Sequence, residues 1–186
     1  SRPRANGIWA IDLPEDDELV NARLTDGQQD IMLFSSSGKC IRFSESDVRS
    51  MGRVARGVIG IRLQEGQQVV SMLVVGEGDI LTVTENGYGK RTVPEDYPRQ
   101  GRGGQGVIGI QTSDRNGALI SAIHVNSEDH IMLISDGGTL VRTRAGEIST
   151  LSRNTQGVTL IRLRQDEKLV GLARIEMEHD EEAVGP

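Results

Sequence analysis

The residues in this chain best suited to chemistry are arginines, and they come at intervals. Arg42, Arg91 and Arg142 are separated by 49 and 51 residues, and Arg53, Arg102 and Arg153 by the same two distances. Arg49, Arg56, Lys90, Arg99 and Arg144 stand close to these positions and enlarge each cluster. A guanidinium is planar, permanently charged and forked, which suits it to phosphate oxygens. Repeated at one period, such forks would line up along one rim of a stacked array and hold a polyanion by its backbone without reading its sequence. The reading that needs no ligand is that these arginines solubilise outer strands and pair with nearby acids.

The connector Arg99-Gln100-Gly101-Arg102-Gly103-Gly104-Gln105-Gly106 is the second feature, because its glycines could bring backbone N–H groups close to a phosphate. It is not a nucleotide-binding loop: no Lys-Ser/Thr pair follows and no helix opens from it. A flexible joint between two units is the plainer reading. Other chemistry is sparse. Cys40, His124, His130 and His179 lack metal-ligand spacing, and no nucleophile elbow is present. The chain is read as non-catalytic, with no metal or cofactor of its own.

What would position the arginines is an internal repeat. Gly7-Ile8, Gly57-Val58, Gly106-Val107 and Gly157-Val158 recur at 50, 49 and 51 residues. Asp30-Ile31, Asp79-Ile80 and His130-Ile131 keep the same phase, as do Gly38, Gly87 and Gly138. Within the second unit, 58–63, 69–74, 79–84 and 89–93 are short segments rich in β-branched residues, separated by Glu65-Gly66, Gly76-Glu77-Gly78 and Glu85-Asn86-Gly87. Asn-Gly is the strongest hairpin signal among these turns, since a tight turn needs positive φ. Four short strands per repeat of about 50 residues predict an all-β, propeller-like array of four-stranded antiparallel blades. The expected blades are 7–56, 57–105 and 106–156, with partial closing strands at 157–175, so that 1–175 is one repeat domain. Residues 176–186 are read as an acidic, disordered tail.

Composition agrees with short strands joined by many turns: aromatic residues are 3% of the 186, while glycine reaches 23. No run approaches the ~20 apolar residues of a membrane span. A single cysteine excludes an internal disulfide and fits a reducing cytosol. The initial Ser suggests a piece of a longer chain. The net charge of -6 argues at first against a polyanion partner, but the charge is unevenly spread. Residues 39–57 carry five cations against two acids, 89–106 four against two, and 140–157 three against one.

Three strings carry a likeness: Glu85-Asn86-Gly87-Tyr88-Gly89-Lys90-Arg91-Thr92, Thr139-Leu140-Val141-Arg142-Thr143-Arg144 and Ser152-Arg153-Asn154-Thr155-Gln156-Gly157-Val158. They closely resemble the C-terminal domain of the bacterial DNA gyrase A protein, and less closely its topoisomerase IV counterpart. The resemblance implies a β-pinwheel, a propeller relative with strands exchanged between blades. It also implies a cytoplasmic, nucleoid-associated role in wrapping double-stranded DNA. The expected partners are the remainder of the gyrase A protein and the gyrase B protein, with ATP and Mg used elsewhere in the holoenzyme. The family's box, Gln-Arg-Arg-Gly-Gly-Lys-Gly, has a degenerate echo in Gln100, Arg102, Gly103, Gly104 and Gly106, with Gly101 and Gln105 departing from it. Tyr88 and Tyr97 are then structural, because the family's cleaving tyrosine lies in another domain. The acidic end, as in some relatives, would compete with DNA for the rim. A propeller-type interaction scaffold with no DNA role is the alternative, and a propeller enzyme stands behind both. On the DNA reading Arg91 and Arg142 are equivalent rim contacts, each dispensable for stability.

Overall fold

Three β-hairpins set the frame of the computed structural model, which describes residues 10–11, 28–47, 54–55 and 61–175. In chain order the strands are β1 (Ala10–Ile11), β2 (Asp30–Ser35), β3 (Lys39–Ser44), β4 (Val54–Ala55), β5 (Val69–Val74), β6 (Asp79–Thr84) and β7 (Tyr88–Thr92). There follow β8 (Val107–Ile108), β9 (Leu119–Val125), β10 (His130–Ser135), β11 (Leu140–Arg144), β12 (Val158–Thr159) and β13 (Leu169–Ile175). The hairpins are β2–β3, β6–β7 and β10–β11. Each turns at a glycine of positive φ, +83° at Gly38, +90° at Gly87 and +86° at Gly138, where a side chain would be strained.

Each hairpin gains an inner strand from the segment that follows it: β5 pairs with β2, β9 with β6 and β13 with β10, all antiparallel. The outer strand comes from further away. β8 follows the second hairpin but pairs with β3 of the first, and β12 follows the third but pairs with β7 of the second. Among the described residues, two hairpin sheets therefore have four strands, β5-β2-β3-β8 and β9-β6-β7-β12, the sheet of the third hairpin, β13-β10-β11, has three, and β1 pairs with β4 in a separate parallel pair.

Four-stranded antiparallel blades are present, but no blade is made of four consecutive segments. A period fixes the length of a repeat and not where to cut it; backbone pairing makes the cut before each hairpin, near residues 29, 78 and 129, and the conspicuous Gly-Val falls inside a unit. Its glycine has a packing reason. A Cβ on Gly106 would lie 2.3 Å from the Cys40 carbonyl oxygen, and one on Gly157 2.5 Å from that of Gly89, where the lent strand crosses the neighbouring blade.

The core lies between blades. Met32, Phe34, Cys40, Leu73, Ile80, Tyr97, Ile110 and Leu119 join the first to the second, with the Phe34 and Tyr97 rings edge to face at 5.9 Å. Leu81, Val83, Val125, Ile131, Leu133, Ala145 and Leu169 join the second to the third. Inner strands also bond to one another, the Ala122 N–H donating to Ser71 Oγ at 2.9 Å. No helix among the described residues is long and apolar enough to cross a membrane.

Candidate nucleic-acid interface

The repeated arginines occupy the outer strand of each hairpin, and their repeated partner is the first residue of the same hairpin. Asp30 and Arg42 lie diagonally across the β2–β3 register, and Arg42 Nε donates to Asp30 Oδ2 at 2.8 Å. Arg99 reaches the same carboxylate from the connector, Nε to Oδ2 at 3.0 Å and Nη2 to Oδ1 at 2.7 Å. Burial opposes ionisation of Asp30, but Arg99 and Arg42 hold its carboxyl below the ordinary aspartate value. Arg42 also donates to the Pro94 carbonyl at 2.8 Å. Arg91 repeats the arrangement with Asp79 at 3.2 Å and the Ile148 carbonyl at 2.8 Å, its side chain 13% exposed. In the third hairpin His130 stands in for the aspartate, and Arg142 Nε donates to its Nδ1 at 3.1 Å.

Lys90 is fully buried. Its ammonium donates to the Ser152 carbonyl at 2.7 Å, to the Arg153 carbonyl and to Thr155 Oγ1 at 2.9 Å. Burial, and secondarily the neighbouring Arg153, push its pKa down to about 7. This side chain tethers the third connector to the second blade and is out of reach of a phosphate. Arg153 is half-buried too, donating to the carbonyls of Ile108 and Asp96, so it ties that connector to β8 and to the turn after β7.

The exposed members of the predicted set are Arg99, 64% exposed, with Arg102, Arg142 and Arg144. Arg102 touches the Asp47 carbonyl at 3.0 Å. Arg142 and Arg144 alternate with half-buried Val141 and Thr143, so both point to solvent from β11. Arg49, Arg53 and Arg56 lie outside the described residues, as do Trp9 and the acidic end, 176–186. The Gly-rich connector is pinned. The Gln100 N–H donates to the Arg42 carbonyl at 2.6 Å and the Gly104 carbonyl accepts from Arg62 N–H at 2.8 Å. Gly103, at φ +85°, and Gly106, at +77°, shape this crossing.

Neither of the described histidines has a metal-like setting: His124 Nε2 accepts from the Gly76 N–H at 3.3 Å, and His130 is held by Arg142. Burial raises the Cys40 thiol far above the range in which it would be a thiolate. Sequence reasoning passed over Arg62, which does not return in the second repeat, and over Arg115, whose guanidinium lies 4.3 Å from the Tyr88 ring centre. The signal available was an incomplete recurrence, Arg62 returning only at Arg162 and Arg115 standing in its repeat alone.

The sequence and the architecture match known proteins. The family model described as "DNA gyrase C-terminal domain, beta-propeller" matches residues 2–26, 29–76, 78–126 and 129–176, and the last three of these spans follow the hairpin-first units of the fold. The DNA gyrase A protein of Pseudomonas aeruginosa is 59% identical over 177 residues, 95% of this chain and 19% of that protein. Its Escherichia coli counterpart is 52% identical over 183 residues, 98% of this chain and 21% of that protein. The chain thus spans about a fifth of the curated relatives it matches. Among solved structures, a DNA gyrase A C-terminal domain superposes with a TM-score of 0.81 at 29% identity, covering 92% of this chain and 59% of that one. A DNA topoisomerase IV C-terminal domain gives 0.82 at 25%, covering 90% and 53%.

Proposed function

The chain belongs to the DNA gyrase C-terminal domain family, and from that premise we propose that it binds and wraps duplex DNA against its outer perimeter. It works within the gyrase A protein and alongside the gyrase B protein, in the bacterial cytoplasm, and supports ATP-dependent negative supercoiling by the whole enzyme. Contacts go to phosphates and not to base edges, because guanidinium groups spread over strands and connectors match a charged backbone and carry no base-reading geometry. The observation that carries this reading is the pair Arg142 and Arg144, exposed side by side on an outer strand, with Arg99 and Arg102 exposed on the connector of the preceding blade. Arg49, Arg53 and Arg56, which lie outside the described residues, are included among the proposed phosphate contacts on their sequence positions alone. Arg42, Arg91, Lys90 and Arg153 serve it indirectly by holding hairpins and connectors in place.

The test is a salt titration of binding to random-sequence duplexes up to about 150 base pairs, one persistence length. Log affinity should fall with log salt by about 0.9 per phosphate engaged. Arg142→Glu/Arg144→Glu should flatten that dependence by about two such steps without lowering the melting temperature. Arg91→Glu, in contrast, should lower the melting temperature first, since it buries a carboxylate beside Asp79. An interaction scaffold without a DNA role has one observation in its favour, the exposure of Leu140 at 62% and Val170 at 59% on the third blade. That reading predicts no affinity for random duplex at any salt concentration.

A further inference from the structure

Beside the turn of the first hairpin is a recess of about 20 Å³ lined by Ser35, Ser37, Lys39, Arg62, Gln64 and Gln105. One water needs roughly 10–15 Å³ of such space, so there is room for an oxygen or two, with the rest of a larger group outside. Leu63 lines it as well; the polar part of the lining is two cations, two hydroxyls and two carboxamides, with no carboxylate. The Ser35 and Ser37 hydroxyls lie 2.8 Å apart and share one hydrogen bond, which leaves a hydroxyl proton for a guest. Arg42, Arg91, Arg99, Lys90 and Arg153 all direct donors to internal acceptors. By contrast, neither the Lys39 nor the Arg62 side chain has a hydrogen-bond or ion-pair partner among the described residues. Arg62, Gln64 and Gln105 are exposed, so the mouth admits part of a long polymer.

The same place in the other blades is chemically different. Lys39 follows the turn glycine Gly38; its counterparts after Gly87 and Gly138 are Tyr88 and Thr139. Arg62 stands five residues after Gly57, and its counterparts are Gln111 and Arg162. In the second blade Arg115 covers the Tyr88 ring. In the third, Thr139 Oγ1 donates to Glu167 at 2.7 Å, and Ser135, Thr139 and the Arg164 N–H hold that carboxyl below the ordinary glutamate value. Along the chain the site passes from two cations with no acid, through a capped aromatic, to a place where Arg162 and Arg164 are accompanied by the acid Glu167.

We propose that the Lys39–Arg62 recess seats one phosphate of a DNA backbone and anchors the duplex at the first hairpin, with no equivalent grip at the third. This rests on the DNA-binding reading above. The full 186-residue chain and its Lys39→Gln/Arg62→Gln variant are titrated with random duplex between about 50 and 200 mM salt. Loss of one phosphate contact flattens the log–log slope by about 0.9 and weakens binding roughly fivefold near 0.15 M relative to a 1 M reference. The melting temperature stays where it was, and Arg162→Gln leaves both slope and affinity unchanged. If the double variant binds duplex with the unaltered slope, the recess assignment is overturned while the DNA reading stands. If the unaltered chain binds no duplex, both fall. In that case, amide shifts at Ser37, Lys39 and Arg62 on adding inorganic phosphate would reassign the recess to a free anion.

Discussion

The second and third hairpins have nearly the same turn and opposite surroundings. At Gly87 an added Cβ would lie 2.5 Å from the Ile161 carbonyl oxygen, whereas at Gly138 it would meet nothing within 4 Å. One position beyond the next residue, Gly89 is buried beneath β12, while its counterpart Leu140 is 62% exposed. Both turn glycines keep φ near +90°, so the hairpin itself demands that conformation. At the turn itself the crowding comes from Ile161, just past the lent strand β12. What differs between the two blades is therefore the neighbour each has been given, more than its own local sequence.

Giving the second hairpin the residues of the third tests how far this goes. Gly89→Leu should have the largest effect, because a Cβ there would lie 2.4 Å from the Thr82 carbonyl oxygen and 2.6 Å from Leu160 Cδ1. A loss of about 3 kcal/mol by chemical denaturation is expected. The reverse change, Leu140→Gly, should cost under about 1 kcal/mol, the penalty of strand glycine alone. Equal losses would refute the idea that the lent strand makes the difference.

Lys90→Val, which supplies the residue found at Val141, comes next, at about 2 kcal/mol for three lost bonds to a charged donor. Its signature is in the pH dependence. The folded pKa of about 7 lies below the ordinary 10.5, so between those values the unfolded chain binds the proton more tightly and stability rises with pH. From pH 7 to 8.5 the unaltered protein should gain up to about 1.4 kcal/mol per pH unit, and the variant should lack that gain. A flat profile in both proteins would rule out a depressed Lys90. Asp79→His, copying His130, should be the mildest, at roughly 0.5–1 kcal/mol, because its carboxylate is 25% exposed.

The sequence revealed the period because the recurring elements are those of the hairpin: a turn glycine, a β-rich strand pair and, in the first two, an acid diagonal to an arginine. That same recurrence made Arg42 and Arg91 look like a binding rim, although their regularity follows from the regularity of Asp30 and Asp79. A residue repeated for the fold and one repeated for a ligand look alike in one dimension. Lys39 escaped notice for the opposite reason, since its counterparts are Tyr88 and Thr139, and Arg62 because it returns only at Arg162 and not at Gln111. The exchange of strands was legible only through the family resemblance. β8 and β12 are two residues long and pair with partners far back in the chain, which leaves no local pattern.

The lent strands also impose a schedule on synthesis. β3 ends at Ser44, and its outer partner begins only at Val107. At about 5–20 residues per second, the first blade would wait roughly 3–13 s with an open edge while the second hairpin is made. During that interval a nascent edge strand can pair with the wrong neighbour, on the same ribosome or the next. Each blade would be sealed one repeat late, so the last to emerge is also the last to be protected.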